Sequence, residues 1–198
     1  MCANLERVRS IAAQHEAVSV RASASEAERL AFWAGRKAAF PAVGRISPDY
    51  YCMDGTIPRR ELPRVLRAMS EMSQRYGLRV ANVFHAGDGN LHPLILYDAN
   101  EPGQLDKAEA FGFEILRLCV DVGGVLTGEH GVGLEKRDLM TYQFDDVDLG
   151  VQHRIKHAFD PQVRFNPGKV FPTLHRCAEL GREHVHSGHE RFPDLPRF

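Results

Sequence analysis

The segment LRVANVFHAGDGNLHPLILY, residues 78–97, decides the fold that the sequence predicts. Two apolar runs, LRVANVF and PLILY, flank the turn residues Asp88, Gly89 and Asn90. Glycine and asparagine adopt positive φ at little energetic cost, so the chain can reverse there and the two runs can pair as antiparallel strands. The segment therefore predicts a β-hairpin.

Two histidines, His85 and His92, lie on either side of this turn. Cross-strand neighbours in a hairpin are about 4.5–5.5 Å apart at Cβ, which is close enough for two imidazoles to bind one metal ion. Histidines beside a turn also occur in proteins that bind no metal. The hairpin by itself leaves both interpretations open.

Outside the hairpin, helical and strand-like patterns alternate along the chain. Helices are predicted over residues 4–15, 25–40, 58–77, 105–122, 134–143 and 147–159, and further strands over residues 17–22 and 50–57. This order is typical of the α+β class, in which an antiparallel sheet has helices packed on it. The last two helices predict a C-terminal helical segment after the sheet.

Composition excludes several functional classes. The chain has 198 residues, 43% hydrophobic, and a formal net charge of -1, whereas nucleic-acid binding requires clustered positive charge. No apolar run approaches the roughly 20 residues that span a bilayer, so the sequence predicts a cytoplasmic protein. The four cysteines are scattered without C-x-x-C spacing, which favours reduced thiols over disulfides or a cysteine zinc site.

A second unusual segment is GGVLTGEHGVGLEKRD, residues 123–138, which contains five glycines together with Glu129 and His130. Glycine allows a backbone to approach a ligand closely, and a helix starting at LEKRDLM would leave unpaired N–H groups in the loop. Glu129 would complete a His-His-carboxylate set, which is typical of a catalytic metal. His130 could then act as a base. The alternative is a glycine-rich helix entry with a solvated Glu-His pair.

Three motifs in order, HAGDGNLHP, GGVLTGEHGVGLEK and FNPGKVFP, resemble the C-terminal domain of FAD-linked oxidases of the vanillyl-alcohol-oxidase type. Within that family the resemblance is to the bacterial glycolate oxidases. It implies a ferredoxin-like cap domain and FAD-dependent oxidation of D-2-hydroxy acids, either glycolate to glyoxylate or D-lactate to pyruvate.

The resemblance also implies roles for individual residues. His85, His92 and Glu129 would bind a divalent metal, which could be zinc, manganese or iron. His130 would remove the hydroxyl proton of the substrate while its hydride passes to FAD.

Three further residues carry expectations from the same resemblance. Arg36 would bind the substrate carboxylate, which suits a guanidinium fork. Asn166 and Lys169 of the NPGK motif would lie on the FAD side. We therefore expect FAD and a divalent metal as cofactors.

The same resemblance implies a domain organisation and a set of partners. Residues 1–175 would be a substrate or cap domain that is incomplete at its N-terminus, without an FAD-binding domain, and residues 176–198 a polar tail. The expected partners are a small 2-hydroxy acid and either other glycolate oxidase subunits (a second flavin subunit and an iron–sulfur subunit) or a separate FAD-binding chain. Such subunits would place the chain at the inner face of the membrane.

Two other functions fit the same residues. The chain could be an inactive remnant or a metal-binding interaction module without catalysis of its own. A metal-dependent hydrolase would use the same His-His-Glu set, but it gives the FNPGKVFP motif no role.

Overall fold

Residues 2–172 are described by a computed structural model, in which the chain divides into two units, Met1–Arg45 and Ile46–Phe198. The first unit is helical and comprises α1 (Cys2–Gln14), α2 (Glu26–Lys37) and α3 (Ala39–Val43). The predicted tail, residues 176–198, lies outside the described residues.

Helix α2 begins as its sequence predicts. The Ser25 hydroxyl accepts a hydrogen bond from the Glu28 N–H at 3.2 Å, and the Glu28 carboxylate accepts one from the Ala24 N–H at 2.8 Å. The first bond satisfies a backbone donor that the helix N-terminus otherwise leaves unpaired, and the second ties the Glu28 side chain to the residue before the N-cap.

The strand predicted over residues 17–22 is wrong. This segment has no regular secondary structure, and Val18 is fully exposed. An alternating pattern favours a strand only where a partner strand supplies hydrogen bonds and an apolar surface to cover, and no strand pairs with this segment in residues 2–172.

The second unit is built on an antiparallel sheet. Its strands are β1 (Asp49–Cys52), β2 (Val80–His85) and β3 (Asn90–Tyr97), in the order β1-β3-β2, with helix α4 (Leu62–Tyr76) connecting β1 to β2 and helix α5 (Gln104–Asp121) following β3. This is the split β-α-β arrangement of ferredoxin-like sheets. The predicted α+β class and the hairpin are confirmed.

Helices α4 and α5 cover one face of the sheet. Leu91 and Ile95 of β3 point to this face and are buried against Phe111 of α5 and Val65 of α4. The Phe111 ring stacks on Tyr76 with 5.1 Å between centroids. Burying a side chain of this size contributes roughly 1.5–3 kcal/mol, so this core fixes the position of β3.

The other face of the sheet carries the histidines. His85 pairs with Asn90, Val83 with His92 and Cys52 with Leu94. Because side chains alternate along each strand and directly paired residues share a face, Cys52, His85 and His92 all lie on the face opposite α4 and α5.

Gly89 is required at the hairpin turn. Its φ is +75°, and a Cβ there would lie 2.1 Å from the carbonyl oxygen of Ile57. A side chain would therefore collide with backbone that contacts the turn.

The C-terminal helical segment contains α6 (Met140–Gln143) and α7 (Asp146–Phe159). A second core cluster joins it to α5 and to the end of β1, and its buried members are Met53, Leu116, Leu126, Leu139, Met140 and Leu149. Among residues 2–172, no helix is both long enough and apolar enough to cross a membrane.

Candidate functional site

Three imidazoles surround one carboxylate oxygen at the hairpin mouth. Glu129 Oε1 lies 2.7 Å from Nε2 of His92, 3.8 Å from Nε2 of His85 and 3.9 Å from Nε2 of His130. The strands supply His85 and His92, and the glycine-rich loop supplies Glu129 and His130. The four residues that the sequence singled out are thus brought together.

His92 differs from the other site residues in its burial. Its side chain is 4% exposed, whereas those of His85, Glu129 and His130 are between 44% and 52% exposed. Burial lowers the pKa of His92, and the Glu129 carboxylate offsets this only in part. The lowered pKa favours the neutral imidazole, which is the form that binds metals.

The loop owes its shape to Asp54, a residue that sequence reasoning missed. Asp54 is fully buried just after β1, and its Oδ2 accepts hydrogen bonds from the N–H groups of Gly128 at 3.2 Å, Glu129 at 2.9 Å and His130 at 2.6 Å. The Thr127 hydroxyl also donates to Asp54, at 3.0 Å. One carboxylate therefore positions both loop residues of the site through their backbone.

Lys136 completes this arrangement. Its ammonium forms an ion pair with Asp54 and donates to the Thr127 hydroxyl at 3.1 Å. Burial lowers the pKa of Lys136 to about 8, and the Asp54 carboxylate stabilises its charged form.

The sequence-based picture of the loop needs correction. The N–H groups of residues 128–130 are not free for a ligand, because Asp54 accepts all three. The helix predicted over residues 134–143 forms only from Arg137 onward, as a 3₁₀ turn followed by α6. Asp54 gave no distinct signal, because an Asp-Gly pair after an apolar run is also an ordinary turn sequence.

The NPGK segment lies beside the loop. Lys169 Nζ donates to Asn166 Oδ1 at 3.2 Å, and Arg137 donates to the carbonyl of Gly168 at 2.7 Å. Lys169 also lines a cavity of about 350 Å³ together with Cys52 and His130. The two residues predicted on the FAD side thus belong to a segment that opens onto the same cavity as His130.

Arg36 lies in the last turn of α2, within the first unit, and is exposed. The other predicted site residues all belong to the second unit. The role of Arg36 toward a substrate carboxylate stays a prediction.

The donor set suits a divalent metal. One ligand atom from each of His85, His92 and Glu129 lies within 4.8 Å of the others, and two imidazoles with a carboxylate match zinc, manganese and iron sites that keep open positions. His85 and Glu129 also line a cavity of about 320 Å³ with Thr56, Asp88, Asn90 and Gly128. A small ligand could therefore reach the site from solvent.

The sequence also matches the model of a protein family. Residues 1–170 match the model of the family described as FAD linked oxidases, C-terminal domain. The chain belongs to this family. The match extends into both units and includes every predicted site residue, and the resemblance drawn from the three motifs is confirmed.

Relatives of this FAD-linked oxidase C-terminal domain carry two kinds of name. The chain is 62% identical over 193 residues to glycolate oxidase subunit GlcD of Escherichia coli K12, which is 98% of this chain and 39% of that protein. It is 32% identical to the Bacillus subtilis protein of the same name, over 85% of this chain and 36% of the relative. It is also 32% identical to a mitochondrial D-lactate dehydrogenase [cytochrome] of Kluyveromyces lactis, over 84% of this chain and 30% of the relative. The chain thus spans less than two fifths of the length of these relatives.

Proposed function

We propose that this FAD-linked oxidase C-terminal domain forms the substrate side of a D-2-hydroxy-acid oxidoreductase that converts glycolate to glyoxylate or D-lactate to pyruvate. The relatives named glycolate oxidase and D-lactate dehydrogenase support this class of substrate. The observation that carries the proposal is the grouping of His85, His92 and His130 around Glu129.

His85, His92 and Glu129 hold the metal in this proposal. A divalent ion bound there would act as a Lewis acid and lower the pKa of a substrate hydroxyl. The strands fix His85 and His92, and Asp54 fixes Glu129 through its backbone N–H. Such preorganisation supports a site that need not rearrange when an ion binds.

His130 serves as the base. Its side chain is 49% exposed, so it can meet a substrate, and its Nε2 lies 3.9 Å from Glu129 Oε1. An imidazole can accept the hydroxyl proton as a general base. The Asp54 contact with the His130 N–H holds this residue beside the ligand set.

Arg36, Asn166 and Lys169 complete the proposed chemistry. FAD, when bound, would accept the substrate hydride. In this proposal Asn166 and Lys169 face FAD, which is supported by Lys169 lining the same cavity as His130. Arg36 would bind the substrate carboxylate through a bidentate guanidinium contact.

We also propose the organisation in which this chemistry works. Residues 1–175 act as the substrate or cap domain and function together with an FAD-binding domain, within one polypeptide or on a separate chain. A second flavin subunit and an iron–sulfur subunit are the further partners. These would hold the protein in the cytoplasm or at the inner face of the membrane.

A chimera tests the activity. This chain replaces the matching 193 residues of the Escherichia coli glycolate oxidase subunit, and flavin bleaching is followed after glycolate or D-lactate is added. We expect bleaching with at least one substrate, and its loss in His130→Ala while the metal held by His85, His92 and Glu129 is retained.

The matched control is His157→Ala, which changes an exposed histidine on α7 outside the site. It should bleach like the parent chimera. Equal bleaching in His130→Ala and His157→Ala would overturn the role of His130. A folded, flavin-loaded chimera that neither acid bleaches would overturn the proposed substrate class.

A further inference from the structure

Cys52 lies beside the histidines on the face of the sheet opposite α4 and α5. One ligand atom from each of Cys52, His92 and His130 falls within 4.8 Å of the other two. The three residues come from β1, β3 and the glycine-rich loop, so the fold, and not sequence proximity, brings them together. We propose that Cys52, His92 and His130 form a second cation site, for a softer metal than the His-His-Glu set takes.

The buried histidine supports this site. His92 is 4% exposed, and its Nδ1 has no hydrogen-bond partner among the described residues. A buried polar atom without a partner is uncommon in folded proteins, because no hydrogen bond replaces those that it made with water. The His92 ring also lies nearly parallel to that of His130, with 5.0 Å between centroids.

An ion can reach the site from solvent. Cys52 and His130 both line the cavity of about 350 Å³. Lys136 and Lys169 line it too, but Asp54 neutralises the Lys136 ammonium. A thiolate formed at Cys52 would offset the positive charge of Lys169.

The ligand chemistry selects the metal. A thiolate and two imidazoles suit Zn²⁺ and especially the softer Cd²⁺, whereas a carboxylate in place of the thiolate also admits harder ions such as Mn²⁺. On binding, the Cys52 thiol loses its proton to solvent and its sulfur bonds to the ion, so no oxidant or reductant is needed.

The site has a consequence that rests on the proposed function. An ion held by Cys52 and His130 uses the lone pair with which His130 would accept a proton. A soft metal would therefore inhibit the enzyme by occupying its base.

Metal spectroscopy on the full chain tests the site without flavin or substrate. CdCl₂ or CoCl₂ is titrated into the protein, and the ultraviolet charge-transfer band of a metal-bound thiolate is recorded. We expect the band in the wild-type chain and its absence in Cys52→Ser, which keeps the size of the side chain. Loss of a direct ligand should lower Cd²⁺ affinity by about 100-fold or more, since losing an outer-shell contact already lowers metal affinity about 10–100-fold.

Two histidine variants separate the two sites. His85→Ala should keep the band, because His85 belongs only to the His-His-Glu set, whereas His130→Ala should weaken Cd²⁺ binding and the band together. Thermal unfolding checks that each variant is folded.

Absence of the band in the wild-type chain would overturn the proposal, as would its persistence in Cys52→Ser, which would assign it to another thiol. A band that needs His85 but not His130 would overturn it as well. None of these results bears on glycolate or D-lactate oxidation, so failure of this site is distinguishable from failure of the proposed function.

Discussion

Two loops of the second unit are each held by one carboxylate that accepts backbone N–H groups and pairs with a lysine. Asp54 holds the loop of Glu129 and His130 and pairs with Lys136. Asp160 accepts from the N–H groups of Arg164 and Phe165 and pairs with Lys156, just before the NPGK motif. Both carboxylates are nearly inaccessible to solvent, at 0% and 4% exposure.

The two arrangements differ in the distance along the chain that they bridge. Asp160 reaches N–H groups four and five residues away, whereas Asp54 reaches N–H groups 74 to 76 residues away. The local contact forms as α7 ends. The long-range contact forms only when the end of β1 and the glycine-rich loop have come together, so the site depends on tertiary structure that the Asp160 loop does not need.

The largest expected effect is on stability. Asp54→Ala should lower the free energy of unfolding by about 3–5 kcal/mol, because it leaves Lys136 buried and unpaired. Urea denaturation measures this loss. The control is Asp106→Ala, at an exposed position in the first turn of α5, which should lower the free energy of unfolding by less than about 1 kcal/mol.

The double variant Asp54→Ala/Lys136→Met sharpens this prediction. Removing the unpaired ammonium should restore part of the lost stability, because both partners of the ion pair are then gone. Strictly additive losses would mean that the two side chains do not interact.

An intermediate effect is expected on metal binding. Asp54→Asn keeps the size of the side chain but removes its charge, so the loop that carries Glu129 should hold its position less well. We expect an affinity for Mn²⁺ about 10–100-fold lower, the range found when supporting contacts of a metal ligand are lost. Titration calorimetry with Asp160→Asn as the matched control should show no such loss. Equal losses in both variants would contradict a specific role for Asp54.

The smallest effect is expected in acid. The hydrogen bond from Lys156 lowers the pKa of Asp160, with help from the N–H groups of Phe165 and Arg164. A carboxyl with a lowered pKa stabilises the fold above its unfolded pKa of about 3.9, and this contribution is lost as the pH falls through the lower, folded value. Asp160→Asn should therefore be less stable than wild type at pH 5 and approach it at pH 2. Circular dichroism during denaturant unfolding at both values tests this, and a constant difference would contradict it.

Local patterns accounted for most of the fold. The Asp-Gly-Asn turn between two apolar runs predicted the hairpin, and the helical pattern that begins at residue 25 predicted α2. The strand prediction for residues 17–22 was wrong because alternation of apolar and polar residues carries no information about a partner strand. The predicted start of the helix after the glycine-rich loop was also wrong, because Lys136 turns inward to pair with Asp54.

The site was predictable where residue type alone suggests chemistry. His85, His92, Glu129 and His130 are candidate ligands or bases in any context, and they do meet. Asp54 was not predictable, because its importance lies in backbone donors more than 70 residues away. The spacing of the four cysteines favoured reduced thiols, but such spacing carries no information about the histidines of other elements whose ligand atoms lie near that of Cys52.

The contact between Asp54 and the glycine-rich loop also makes the loop a reporter of folding. We expect the amide protons of Gly128, Glu129 and His130 to exchange with solvent when this contact opens, which requires separating segments distant in the chain. Since closing so long a loop carries a large entropic penalty, these amides should become protected late in refolding. Their deuterium uptake would then measure the integrity of the site in the bare polypeptide, before any metal, flavin or acid is added.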